Sequence, residues 1–180
     1  VKLNKEQRPI FSKYQIEEQI ESIYTPEVRL KGGGFIVINP TEALVSIDVN
    51  SGRATKEVKL EDTAYKTNLE AAEETARQLR LRDLGGLIVI DFIDMRDSKH
   101  QREVEKRLKA ELKKDKAKSE VGRISKFGLL EMSRQRIRPS IEFGTYHVCE
   151  VCGGRGMVRS VEATALAVMR SLPFPGRIVD

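Results

Sequence analysis

The sequence predicts an α/β fold, because segments with strand patterns alternate with segments of helical periodicity along most of its 180 residues. Two β-branched runs, at 35–39 (FIVIN) and 43–48 (ALVSID), are separated by Pro40 and Thr41, as in a hairpin-like pair. A helical pattern, an apolar run and a second helical pattern follow. Strand, helix, strand and helix in this order indicate a βαβ unit with parallel strands.

The first helical pattern covers residues 62 to 82. Its apolar positions recur at helical spacing and are Leu69, Ala72, Ala76 and Leu79. Thr67 and Glu70 are a possible capping pair, and Gly85-Gly86 is the expected stop. The pattern therefore predicts an amphipathic helix.

Two further elements and one ambiguous segment follow. Residues 87–92 (LIVIDF) are almost continuously apolar, which is typical of a strand covered on both faces. Residues 98–118 predict a second helix with one apolar face and Lys or Arg over most of the rest. Residues 121–133 fit a strand or a helix equally well.

Length and composition exclude several classes of protein. One domain plus a short appendage fits 180 residues, which excludes a large multidomain enzyme for this chain. No apolar run approaches the ~18 residues of a membrane span, and no secretory signal pattern is present. With two cysteines, these features predict a cytoplasmic protein. The chain begins with Val1, so we expect it to start inside a longer polypeptide.

Acidic side chains mark the ends of two predicted strands. Asp48 ends the run 43–48 and Asp91 lies at the end of 87–92, while Asn50 and Asp94 follow closely. Neighbouring parallel strands would bring their carboxyl ends to one edge of the sheet. A few hard oxygen ligands open to water suit Mg²⁺ or Mn²⁺, which predicts metal-assisted hydrolysis. The alternative is that both aspartates only cap turns.

Basic residues concentrate between 96 and 138. The net charge of the chain is +5, yet this segment alone holds fifteen Lys or Arg against seven Asp or Glu. Such a segment can be a solvated face. Beside a metal site, however, it indicates contact with the phosphates of a nucleic acid.

Cys149 and Cys152 form a C-x-x-C pair followed by glycines. One pair supplies half of a tetrahedral Cys₄ zinc site, so the other ligands must come from elsewhere. His147 is a weak candidate as a ligand. A redox dithiol and a pair of free thiols are the alternatives.

Four blocks of this sequence closely resemble the RNase E/G family of bacterial endoribonucleases. They are ALVSIDVNSGRAT (43–55), the segment 68–95 that ends in VIDFIDM, KFGLLEMSRQRI (126–137) and HVCEVCGGRGMVR (147–159). The resemblance covers most of the chain from about 28 to 159. It implies a DNase I-like catalytic subdomain in which Asp48 and Asp91 hold a catalytic Mg²⁺ and Asn50 is the third polar participant.

The resemblance also implies a division of the chain. Residues 1–25 would end an RNase H-like domain, 26–145 form the DNase I-like subdomain, 146–159 form a zinc-link, and 160–180 begin a small C-terminal domain. In the zinc-link, two protomers would share one zinc ion through Cys149 and Cys152 of each, which makes a homodimer or a higher oligomer. An OB-type RNA-binding domain and a 5′-monophosphate sensor precede the catalytic region in the family.

The expected function is Mg²⁺-dependent endonucleolytic hydrolysis of single-stranded RNA that leaves a 5′-phosphate and a 3′-hydroxyl. The residues expected to bind RNA backbone phosphates are Lys106, Lys109, Lys113, Lys114, Lys118, Arg123, Arg134 and Arg136. Two alternatives remain. One is a non-catalytic RNA-binding and zinc-linked oligomerisation module, and the other is a phosphodiesterase that cuts DNA equally well.

Overall fold

A computed structural model describes residues 8–52, 60–139, 147–154 and 156–171. The chain divides into two units, residues 1–143 and residues 144–180. The elements of the first unit are α1 (Ile10–Lys13), α2 (Ile16–Tyr24), β1 (Glu27–Arg29), β2 (Phe35–Pro40), β3 (Val45–Asn50), α3 (Leu60–Leu81), β4 (Gly86–Asp91), α4 (Ser98–Leu112), β5 (Ser119–Ile124) and β6 (Leu129–Arg134). In the second unit, helix α5 spans Val161–Ser171.

The strands form one sheet in the order β1-β2-β3-β4-β6-β5. β3 and β4 are parallel and are connected through α3, which confirms the predicted βαβ unit. β2 and β3 pair antiparallel, as the hairpin-like pattern predicts. The ambiguous segment 121–133 falls within an antiparallel hairpin of β5 and β6. The fold class is therefore α/β, with a mixed sheet.

One face of the sheet carries the core. Along the four central strands, its buried side chains are Ile36, Ile38, Val45, Ile47, Val49, Ile88, Ile90, Leu130 and Met132. Ile47 lies opposite Ile38 on β2 and Ile90 on β4, so these side chains share one face. Helices α3 and α4 pack against each other and contribute to the same core.

The other face, called here the open face, carries Ser46, Asp48 and Asn50 on β3. Leu87 on β4 is 48% exposed, whereas its neighbour Ile88 is fully buried. The prediction that 87–92 is covered on both faces is therefore wrong for the described part of the chain. A continuous apolar run records hydrophobicity, but it does not show how many layers cover the strand.

The two long helices differ in detail from their predicted limits. Helix α3 begins at Leu60, so Thr67 and Glu70 lie inside it and do not cap it. Glu70 instead accepts a hydrogen bond from the backbone N–H of Gly32 (2.8 Å). The helix ends at Leu81, ahead of the glycines, beside Asp83 in the left-handed region (φ 51°).

Helix α4 ends at Leu112, six residues before its predicted limit. The carboxylate of Asp115 accepts a hydrogen bond from the N–H of Ala117 (3.0 Å), which forms a turn there. Lys113 and Lys114 therefore follow the helix rather than lie within it. In the described residues, neither this helix nor any other is long and apolar enough to cross a membrane.

Candidate active site

Asp48 and Asp91 lie directly opposite each other on the parallel strands β3 and β4. Both residues are exposed, in contrast to the buried Ile47 and Ile90 beside them. Because side chains alternate along a strand, both carboxylates project from the open face, away from the helices. The prediction that the two aspartates meet at neighbouring strand ends is confirmed.

Asn50 completes a polar row on β3. The strand continues to Asn50, two residues beyond its predicted end, so Asn50 lies on the same face as Asp48. The side-chain amide of Asn50 donates a hydrogen bond to Oδ2 of Asp48 (2.8 Å). This bond orients the Asp48 carboxylate through one of its two oxygens.

A third carboxylate, Asp94, stands beside the pair. A Cβ atom built on Gly128 would lie 3.2 Å from Oδ1 of Asp94 and 3.9 Å from Oδ1 of Asp91. Gly128 has a φ of +81°, and its carbonyl accepts a hydrogen bond from the N–H of Phe92 (3.3 Å). A glycine is therefore needed here, both for its backbone conformation and for its close approach to the acids.

The electrostatics of this site favour a cation. Burial, followed by the negative charges of Asp48 and Asp94, raises the pKa of Asp91 above its usual value. A bound cation would offset this repulsion. No group of three His, Cys, Asp or Glu side chains within the described residues is arranged to hold a metal ion. Mg²⁺ takes one or two protein carboxylates and fills its remaining positions with water and substrate oxygens, which fits Asp48 and Asp91.

The loop that carries Asp94 is held by two side chains of α3. Asn68 is fully buried; its Nδ2 donates to the carbonyl of Ile93 (2.8 Å), and its Oδ1 accepts from the N–H of the same residue (3.0 Å). Glu61 accepts hydrogen bonds from the backbone N–H groups of Arg96 (3.1 Å) and Asp97 (3.2 Å). The bond from Arg96 is the main cause that lowers the pKa of Glu61.

Sequence reasoning missed Asn68 and Glu61. For Asn68 a signal exists, because an amide in the buried stripe of a helix, among Ala64, Ala71 and Ala72, needs a hydrogen-bond partner. The identity of that partner could not be read from the helix alone.

The predicted RNA-binding lysines lie away from the carboxylates. All five of them are exposed: Lys106, Lys109, Lys113, Lys114 and Lys118. Helix α4 lies in the helical layer, whereas Asp48 and Asp91 occupy the open face. The helix begins after its N-cap Asp97, close to Asp94 in sequence, and its fifteen residues carry the chain roughly 22 Å further. Lys113 and Lys114 follow its end, so they lie far from Asp48 and Asp91.

The arginines of the same set occupy different environments. Arg123 is exposed on β5. Arg136 is exposed too, and its side chain packs over Gly85 and Gly86 at the beginning of β4. Gly86 is five residues before Asp91 on β4. Arg136 therefore lies near the other end of this strand, about 16 Å from Asp91.

Arg134 is not an RNA-binding residue, and this assignment is corrected. It is 3% exposed and donates to the carboxylate of Asp115 from Nε (2.7 Å) and Nη2 (3.2 Å). Its Nη1 donates to the carbonyl of Leu84 (2.7 Å). With these partners inside the fold, the guanidinium cannot reach a phosphate in solvent.

The C-x-x-C pair lies in the second unit. Cys149 is exposed and Cys152 is half-buried, and neither forms a disulfide. The N–H of Gly153 donates to the carbonyl of Cys149 (2.7 Å), and Gly153 and Gly154 have positive φ values. The pair therefore lies on a tight turn near the surface. His147 is exposed as well.

The chain is similar to proteins of known class. The sequence profile of the Ribonuclease E/G family matches residues 1–137. Ribonuclease E of Escherichia coli (strain K12) is 57% identical over 170 residues, which cover 94% of this chain and 16% of that protein. Ribonuclease E of Haemophilus influenzae is 56% identical, covering 96% of this chain and 18% of that protein.

Ribonuclease G of Escherichia coli (strain K12) is 43% identical over 165 residues, which cover 92% of this chain and 34% of that protein. The chain thus spans between about a sixth and a third of the length of these relatives.

Proposed function

Because the chain belongs to the Ribonuclease E/G family, we propose that it carries the catalytic centre of an Mg²⁺-dependent endoribonuclease that cuts single-stranded RNA. The observation that carries this proposal is the pairing of Asp48 with Asp91 on neighbouring strands, with both carboxylates on the open face. The names of the relatives, Ribonuclease E and Ribonuclease G, support RNA as the substrate.

Asp48 and Asp91 would hold the metal ion. When bound there, Mg²⁺ supplies an activated water and offsets the charge that develops on the phosphoryl oxygens. Asn50 holds the Asp48 carboxylate in one orientation through its 2.8 Å hydrogen bond. Asn68 and Glu61 hold the backbone of the loop after β4, and so keep Asp94 close to the pair. Hydrolysis leaves a 5′-phosphate and a 3′-hydroxyl.

The finer domain assignments belong to the same proposal. Residues 26–145 form a DNase I-like subdomain that follows the end of an RNase H-like domain at 1–25. The division of the chain after residue 143 supports a boundary near 145. Residues 146–159 form the zinc-link and 160–180 begin a small domain; residues 1–7 and 172–180 of these terminal segments lie outside the described ones.

Zinc at the C-x-x-C pair is the second metal of the proposal. Cys149 and Cys152 of two protomers would hold this ion together, and it would then stabilise a homodimer without taking part in hydrolysis. The tight turn at Cys149 and the exposure of its thiol support this role. The setting is cytoplasmic RNA processing, including ribosomal RNA processing and messenger RNA decay.

The direct test is cleavage of an end-labelled, unstructured RNA oligonucleotide by the 180-residue chain. We expect cleavage to require Mg²⁺ and to stop with EDTA. Asp91→Asn should remove most cleavage while RNA binding, measured by fluorescence anisotropy, remains, since the change removes a metal ligand and also a negative charge beside the phosphate. Asp83→Asn is the matched control, because Asp83 lies at the other end of the sheet and asparagine tolerates its positive φ.

Each alternative function predicts a different outcome of this experiment. An Asp91→Asn variant that cuts at the wild-type rate in limiting Mg²⁺ would refute the metal assignment. RNA binding without Mg²⁺-dependent cleavage would favour the non-catalytic module. Equal cleavage of a DNA oligonucleotide of the same sequence would favour a general phosphodiesterase.

A further inference from the structure

The turn between β5 and β6 lies beside the acidic site. Residues 125–128 form it, and the N–H of Gly128 donates to the carbonyl of Ser125 (3.1 Å). The hydroxyl of Ser125 accepts a hydrogen bond from the N–H of Phe127 (3.2 Å). Gly128 lies close to the side chains of Asp94 and Asp91. Phe127 is therefore the residue immediately before Gly128, at which the turn approaches Asp94 and Asp91.

The side chain of Phe127 is turned towards solvent. It is 71% exposed, more than any other large hydrophobic residue among the described residues of the first unit. The ammonium of Lys126 lies over its ring, 5.0 Å from the centroid. A single exposed apolar side chain needs no explanation by itself. An aromatic ring on a hydrogen-bonded turn that approaches paired carboxylates, with a cation over the ring, does call for one.

We propose that Phe127 is a stacking platform for one base of the RNA, close to the phosphate that is cut, and that Lys126 contacts a neighbouring phosphate. This inference rests on the proposed function, because it needs a single-stranded nucleic acid at the acidic site. Unpaired bases stack on aromatic rings with little regard to sequence, and a nearby cation binds the backbone. Phe127 thus supplies affinity and the position of the strand rather than base identity.

RNA fits this position better than a protein segment does. A metal ion held by Asp48 and Asp91 would place the scissile phosphate at the open face of the sheet, and the consecutive atoms Cα127 and Cα128 are only about 3.8 Å apart. The ring is therefore within the reach of a nucleotide adjacent to that phosphate. A cation next to the ring complements the charge of an RNA backbone, and an apolar partner would gain nothing from it.

The experiment compares Phe127→Leu with Phe127→Tyr in the 180-residue chain. Leucine keeps apolar bulk and removes the aromatic face, whereas tyrosine keeps the face. RNA affinity is measured by anisotropy in EDTA, and cleavage is measured in Mg²⁺. We expect Phe127→Leu to weaken binding by roughly 5- to 150-fold, the range for one stacked base, and Phe127→Tyr to bind like the wild type. Phe11→Leu is the control, since Phe11 is also an exposed aromatic residue (50%) but lies on α1.

A set of RNA oligonucleotides, each with one abasic nucleotide, locates the stacked base. For the wild type, one abasic position next to the cleavage site should weaken binding most. At that position Phe127→Leu should add little further loss, because the stacking partner is already absent.

The outcomes separate this inference from the proposed function. If Phe127→Leu binds and cuts RNA like the wild type while Asp91→Asn does not cut, the stacking role is refuted and the catalytic proposal stands. If Phe127→Leu leaves RNA binding unchanged but lowers the mass measured by light scattering, Phe127 is a contact between subunits instead. If the wild-type chain neither binds nor cuts RNA, both proposals are refuted.

Discussion

Replacement of Arg134 by methionine separates a structural role from a role in RNA binding. The side chains of Arg134 and Asp115 are 2% and 5% exposed and form a bidentate ion pair. Methionine keeps an unbranched apolar side chain in place of the aliphatic part of arginine, but it removes the guanidinium and with it all three donated hydrogen bonds. The Asp115 carboxylate and the carbonyl of Leu84 then lose their charged partner inside the fold.

The size of the effect follows from this burial. Removal of one partner from a buried ion pair costs about 3 to 5 kcal/mol, because the remaining charge is desolvated without compensation. For a protein of this size, 1 kcal/mol changes Tm by roughly 2 to 4 °C, so we expect Tm to fall by about 6 to 20 °C. Arg107→Met is the matched control. Arg107 pairs with Glu73 at the surface, where both side chains are nearly half exposed, and should cost less than about 1 kcal/mol.

Urea unfolding followed by circular dichroism measures the free energy, and RNA affinity is measured below Tm. We expect Arg134→Met to lose stability and keep its affinity. A free energy of unfolding within about 1 kcal/mol of the wild type, together with a loss of RNA affinity, would refute the reasoning and return Arg134 to the RNA-binding set.

The same pair predicts a pH dependence. Burial by itself would raise the pKa of Asp115, but hydrogen bonds from Arg134 and from the N–H of Ala117, with the charges of Arg134 and Arg80, lower it below its usual value. A lowered pKa means that the pair contributes its full stability above the unfolded pKa of about 3.9 and loses it as the pH falls through the folded value. The difference in stability between the wild type and Asp115→Asn should therefore be largest near neutral pH and shrink in acid.

Three further predictions concern the loop, the basic segment and the cysteines. Asn68→Leu should reduce the cleavage rate at saturating RNA more than it reduces affinity, since the loop with Asp94 loses both hydrogen bonds between Ile93 and Asn68. Gln78→Leu, at another buried amide of α3, should reduce stability alone. Lys113→Glu with Lys114→Glu should weaken RNA binding at low salt. The slope of log K against log[salt] should become shallower by roughly 0.7 for each phosphate contact that is lost. An unchanged slope would show that this segment is a solvated face. Metal analysis should find about half a zinc ion per chain, and Cys152→Ser should remove it and lower the mass in light scattering; a zinc-free wild-type chain would contradict the shared site.

Much of the candidate site could be predicted from local sequence. Asp48 and Asp91 stand at strand ends, and the alternation of strands and helices makes those strands parallel neighbours. The position of Asn50 on the same face as Asp48 follows from the two-residue period of a strand. Asp94 was visible as a nearby oxygen ligand, but the approach of Gly128 to it depends on a hairpin more than thirty residues further along the chain.

The order of elements, the apolar faces of the helices and the positions of the acidic residues are properties of neighbouring residues, and the sequence by itself determined them. Only the tertiary structure decided that the helices cover one face of the sheet, which leaves Asp48 and Asp91 open and places α4 behind them. It also decided that Arg134 binds Asp115 rather than a phosphate. The sequence shows that a side chain is charged, but it does not show whether that side chain is exposed. The Arg134 guanidinium is stable in the interior because the Asp115 carboxylate and the Leu84 carbonyl accept its hydrogen bonds there. Which segments meet is set by the register of the strands and the packing of the layers, which no short stretch of sequence contains.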